Sequence, residues 1–112
     1  EHFAGAFPVW LAPVQARVLP ISERQHDYAQ QVTNTLLEAG IRAEMDSRSE
    51  KVGYKIREGQ LQKIPYLLIV GDKEVEKEAV AVRHRKQGDL GAVPLADFIN
   101  RITEEIKEKT FD

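Results

Sequence analysis

The run Tyr66-Leu67-Leu68-Ile69-Val70 narrows the possible folds more than any other stretch. Five consecutive apolar residues leave no polar face, so the segment cannot lie on a sheet with one wet side. Its length and β-branching favour a strand covered on both faces over a helix. Strands of that kind belong to parallel sheets flanked by helices. Gly71-Asp72 ends the run with turn chemistry. A charged segment follows, with room for a short helical turn over 72–77. Ala79-Val80-Ala81-Val82-Arg83-His84-Arg85 then reads as a second strand with a basic end. Ligands of open α/β sheets sit at the carboxyl ends of the strands, and this is where Lys73 and Glu74 are delivered.

The flanking segments fit the same architecture. Residues 1–13, with Gly5, Pro8 and Pro13 among apolar residues, read as a linker whose Trp10 and Leu11 pack down onto the domain. Val14 to Ile21 is a strand, its later half buried on both faces. Ser22 and Gln25 form a capping-box pattern, and Tyr28, Val32, Leu36 and Ala39 repeat at helical spacing. The helix over 23–39 stops at Gly40. Ile41 to Met45 is a short strand, and strand-helix-strand at these lengths implies a parallel pair with a right-handed crossover. A polar loop, 47–51, leads to a second helix over 50–63, with Ser49 as cap. Val52 and Ile56 mark its buried face, and Lys51, Lys55, Arg57 and Lys63 spread over the rest. Gly53 and Gly59 each cost about 1 kcal/mol there, so this helix is expected to be the weakest. Residues 86–89 signal a hairpin, followed by a strand over 90–93. Pro94 opens a last helix with the stripe Leu95, Phe98, Ile99, Ile102 and Ile106. The domain spans 14–109, and the tail 110–112 is expected to fray. The whole is a three-layer α/β/α arrangement: a mixed five-stranded sheet, its first three strands parallel and the fourth reversed, with three main helices.

Composition excludes several functions. There is no cysteine among the 112 residues, so disulfide, thiol and zinc-thiolate chemistry are ruled out; this agrees with a reducing, cytoplasmic setting. No apolar run approaches the roughly 20 residues that span a bilayer, so no membrane partner is expected. The net charge of −2 argues against indiscriminate nucleic-acid binding. Its distribution is uneven: residues 42–86 hold eleven basic and eight acidic groups, net +3, while 1–41 and 87–112 are net −2 and −3. The excess is small enough to arise by chance, and it also suits a local basic surface for a polyanion.

No catalytic or metal-binding constellation emerges. His2, His26 and His84 share neither a helical face nor a ligand spacing, and surface or weakly structural roles suit them better. Glu104 and Glu105 are adjacent and point to different sides of a helix. Ser22, Ser47 and Ser49 lie in no nucleophile elbow. What remains is a polar rim: Arg48-Ser49-Glu50-Lys51, Lys73-Glu74 and Arg83-His84-Arg85. A ligand site and a solvated charged surface explain that rim about equally well. Because the fourth strand is reversed, its start lies nearest the Gly71 turn, and Arg83 reaches Glu74 only if residues 72–78 fold over the sheet edge.

The runs FPVWLAPVQ (7–15), LLEAGIRAEMD (36–46), EKVGYKIRE (50–58), PYLLIVGDKEVE (65–76) and VAVRHR (80–85) resemble the C-terminal anticodon-binding domain of bacterial threonyl-tRNA synthetases. A looser outline is shared with the glycyl, histidyl and prolyl enzymes. EHFAGAF looks like the segment after the last class II catalytic motif, which with the absent initiator Met suggests a fragment. The resemblance implies sheet order 2-1-3-4-5 with strand 4 antiparallel. It also implies a non-catalytic role, reading the second and third anticodon letters, G and U, of tRNA(Thr). The matching positions are Ser49, Lys51, Lys73, Glu74 and Arg83, with Arg48 and Arg85 secondary, and Arg83 is expected beside Glu74. Family members often carry asparagine where Ser49 stands. ATP, magnesium and zinc would belong to other parts of the parent ligase. The isolated domain would be a monomer and the parent a homodimer. Two rival readings are a protein-interaction module using the apolar segment Phe3–Leu11, and a small independent α/β enzyme.

Overall fold

A computed structural model describes residues 7–109. Its elements in chain order are β1 (Ala16–Pro20), α1 (His26–Glu38), β2 (Ala43–Met45), α2 (Val52–Leu61), β3 (Tyr66–Val70), α3 (Asp72–Lys77), β4 (Ala79–His84), β5 (Gly88–Pro94) and α4 (Leu95–Glu108). The five strands form one sheet in the order β2-β1-β3-β4-β5. β1 pairs in parallel with β2 and β3, while β4 runs antiparallel to both β3 and β5. The sheet order and the reversed fourth strand are thus as expected.

All five residues of β1 are buried, and of β3 only Ile69 is partly exposed. Both faces of these strands are covered, which explains their continuous apolar runs. On one face Val32 and Leu36 of α1 and Phe98 and Ile102 of α4 pack with Ala16, Val18, Tyr66, Leu68, Val80 and Val82. On the other, α2 lies over β1 and β3, where Leu19, Ile64 and Leu67 form a second, smaller cluster with Ile56. A Cβ on Gly59 would stand 2.6 Å from Leu67 Cδ2, so the glycine is what lets α2 seat this close to β3. β4 and β5 have no helix of this layer over them: Ala81 is half-buried and its partner Ala92 exposed.

Several local expectations need correction. The Ser22–Gln25 capping box is present, but it caps a short 3-10 turn, Glu23–Gln25, and the α-helix begins at His26. Ser49 does not cap α2. The cap position is Lys51, and no side chain bonds the helix end. Lys55 is not on the solvated side but is 2% exposed, because its ammonium donates to Pro20 O (3.3 Å) and Asp46 O (3.2 Å). In the entering segment Val9, not Leu11, packs down: Val9 is buried and Leu11 is 46% exposed. Gln15 holds this segment by donating from Nε2 to Val9 O at 2.9 Å. Of the two roles open to His84, surface or structural, it takes the structural one: it is buried. Its ring meets Tyr66 edge-on, and its Nδ1 accepts from the Lys86 and Gln87 amides, ordering the 85–87 turn. The frayed tail expected at 110–112 and the first six residues of the linker lie outside the described residues.

Candidate nucleic-acid interface

Three segments meet along the carboxyl edge of the parallel strands. The first is the turn after β1, Ile21 to Gln25. The second is the loop after β2, Asp46 to Lys51. The third is Gly71 with α3 after β3. The first and third are tied: Ile21 N–H donates to Val70 O at 3.1 Å, and Arg24 and Gln25 both bond the Asp72 carboxylate. Gly71 permits this closeness, since a Cβ there would lie 2.7 Å from Ile21 Cδ1.

Of the residues singled out in the sequence, four offer unengaged polar groups at this edge. Ser49 and Lys51 are exposed at the start of α2, and Lys73 is exposed in the first turn of α3. None of their side chains has a partner among the described residues. Glu74 is half-buried, and its Oε1 accepts the Gly71 N–H at 2.8 Å, closing the start of α3. One carboxylate oxygen remains for a ligand.

Arg83 is not beside Glu74. The antiparallel register sets it opposite Leu67, three residues or roughly 10 Å down the strand from Val70. No ion pair joins the two among the described residues. A register shift between Val82 and Arg83 then sets Arg83 against Asp89 of β5. Arg83 shares the open sheet face with Ala81 and Ile69. Its Nε is buried with no hydrogen-bond partner among the described residues. A buried, unsatisfied donor is costly, and the Arg83 side chain is not locked in place by a hydrogen bond at Nε.

Arg48 and Arg85 are engaged within the fold. The Arg48 guanidinium grips Asp46 through Nε (2.9 Å) and Nη2 (2.7 Å), bonds Glu58, and lies 5.6 Å from the Tyr54 ring centre. These bonds hold the Asp46 and Glu58 carboxyls below, and the Arg48 guanidinium above, their usual values. Arg85 donates to Lys63 O at the opposite edge of the sheet. Sequence reasoning missed Lys55, Ile21 and His26 as neighbours of Ser49 and Lys51. Only the adjacency of the β1 and β2 ends could have exposed them.

A three-layer α/β domain with unengaged donors and one free carboxylate oxygen along its carboxyl edge presents polar groups to a ligand. Its relatives say what kind. Residues 15–105 match the family model described as an anticodon binding domain, and the chain belongs to that family. It is 67% identical over 109 residues to the threonine–tRNA ligase of Syntrophomonas wolfei and 62% identical to that of Acetivibrio thermocellus, covering 97% of this chain each time. The chain spans 17% of the length of these curated relatives. Among solved structures, the RNA binding domain of threonyl-tRNA synthetase from Cryptosporidium parvum superposes with a TM-score of 0.87 at 32% identity, over 92% of this chain and 26% of that one. A prolyl-tRNA synthetase from the same organism gives 0.81 at 26% identity, over 92% of this chain and 22% of that one.

Proposed function

We propose that this domain reads the anticodon loop of tRNA(Thr) as part of a threonine–tRNA ligase, taking its second and third letters, G and U. One observation carries the reading. The polar groups left unengaged by the fold, on Ser49, Lys51, Lys73, Glu74 and Arg83, line the carboxyl edge and run down the uncovered sheet face, where splayed loop bases would be received. Guanine presents two adjacent donors on its Watson–Crick edge, and the free oxygen of Glu74 is an acceptor for them. Arg83 supplies a planar fork for stacking or for a base acceptor, and Lys51 and Lys73 meet base carbonyls or phosphates. Arg48 and Arg85 act by holding neighbouring structure. ATP, magnesium and zinc belong to other parts of the ligase. It is a cytoplasmic homodimer whose isolated anticodon domain is monomeric.

The test is a titration of this 112-residue chain with a tRNA(Thr) anticodon stem-loop and with one whose middle G is changed to A. Tighter binding of the G hairpin is expected. Absence of binding at low salt, or equal binding of both hairpins, would sink the reading.

A further inference from the structure

Between the turn after β1 and the start of α2 lies a cleft of about 330 Å³, with Ile21, Ser22, His26, Ser49, Lys51 and Lys55 among its lining residues. We infer that this cleft is a phosphate subsite that takes one phosphodiester of the bound RNA strand, with Lys55 as its fixed positive charge. The inference deepens the RNA-binding reading and rests on it.

Lys55 sets the requirement. Its side chain is 2% exposed, yet no carboxylate lies within ion-pair distance of it among the described residues. Its two hydrogen bonds go to neutral carbonyls, Pro20 O and Asp46 O. An ammonium has three donors, so one is unused. The nearby Asp46 carboxylate is occupied by the Arg48 fork. Asp46 thus acts on Lys55 only from beyond ion-pair distance, and a buried charge with no direct ion pair is costly; the cleft is where an anion can approach this one.

The start of α2 makes the same demand independently. This ten-residue helix has no side-chain cap at its amino end and no acidic residue in its first turn. Its first N–H groups are therefore unsatisfied and carry the positive end of the helix dipole. Oxygen ligands that are negatively charged suit such a terminus. The Ser49 hydroxyl and Lys51 ammonium at the rim have no partner among the described residues and add donors. The acids at the rim, Glu23 and Glu50, are both exposed. Ile21, 48% exposed, separates the cleft from α3. A strand whose base meets Glu74 thus passes over Ile21 and sets a backbone phosphate in the cleft.

A phosphate contact and a base contact differ in their signatures. Losing a phosphate contact weakens binding uniformly across sequences and lowers the salt dependence. Lys55→Met keeps the side-chain length and removes the charge. It is expected to weaken binding of the G and A hairpins alike, by about tenfold or more, and to flatten the slope of log K against log salt by about 0.7. An unchanged slope, or a loss confined to the G hairpin, would overturn the inference. A second measurement needs no variant: the Lys55 ε-methylene resonances of the parent chain, followed by NMR during titration with the hairpin and separately with inorganic phosphate. Movement with the hairpin supports the site. Hairpin binding that leaves Lys55 unmoved rejects it while the recognition reading survives. If the hairpin does not bind at all, the recognition reading fails, and the phosphate arm decides whether the cleft takes the anion.

Discussion

In the recognition proposed above, Glu74 has one carboxylate oxygen already committed to the Gly71 amide. That makes substitution by glutamine unusually informative. The third helical position accepts Glu or Gln equally as a partner of the cap amide, so Glu74→Gln is expected to fold as the parent does. Its carbonyl stays on Gly71, and an NH2 donor replaces the free acceptor. Preference should then shift from the G hairpin toward the A hairpin, whose ring nitrogen accepts, with a smaller change in total affinity. Competition between the two labelled hairpins measures this directly, and an unaltered preference would make Glu74 a cap alone. Asp46 offers a second check. The Arg48 guanidinium holds its carboxyl below the usual range. A depressed folded-state pKa contributes stability that is full above the unfolded value, near 4, and is lost as pH falls through the folded value. Asp46→Asn should therefore melt below the parent at pH 7, and the gap should close as pH drops below about 4. Thermal melts across that window read it.

The same residues show what the sequence could and could not disclose. α1 and α4 were legible because their apolar spacing is regular and their buried faces are aliphatic or aromatic. β3 was legible because nothing in it is polar. Lys55 was not: a lysine amid Arg57 and Lys63 reads as solvated, and the carbonyls that bury it arrive from the end of β1 and the loop after β2, 35 and nine residues away. The position of Arg83 was half legible. The reversal of β4 placed it away from the Gly71 turn, but the shift between Val82 and Arg83 leaves no trace in composition. The glycines of α2 separate in the same way. A Cβ at Gly53 meets nothing within 4 Å, whereas one at Gly59 strikes the side chain of Leu67, itself 2% exposed. Both were expected to weaken the helix equally. Gly53→Ala should instead stabilise by about 0.5 kcal/mol. Gly59→Ala should destabilise by about 1–2 kcal/mol, overpacking outweighing the propensity gain. Urea midpoints at constant m-value test the pair, and stabilisation by both would show that Leu67 yields freely.

The sheet divides labour between its two edges. The carboxyl edge holds the turn after β1, the start of α2 and α3. The amino edge holds the entering segment and the end of α4, where the Lys109 ammonium lies 5.6 Å from the centre of the Trp10 ring. Arg42 fastens that entry by donating to Ala12 O and Trp10 O, both at 2.9 Å. Residues 10 and 109 are thus neighbours in space, at the opposite sheet edge from Ser49, Lys51, Lys73 and Glu74.

That proximity has a use in engineering. A chain whose entering segment meets the end of its last helix, as Trp10 meets Lys109, can be closed by a short linker and reopened elsewhere. The turn at 85–87 is the natural opening. It lies at the amino edge, and Lys86 and Gln87 are exposed. Such a circular permutant, joined from 109 back to 7 and cut between Lys86 and Gln87, should fold and bind the same hairpins with unchanged preference. The cut falls in the turn that His84 orders, away from the carboxyl edge. The domain would then be portable as a loop insertion, carried into another protein at a single surface site.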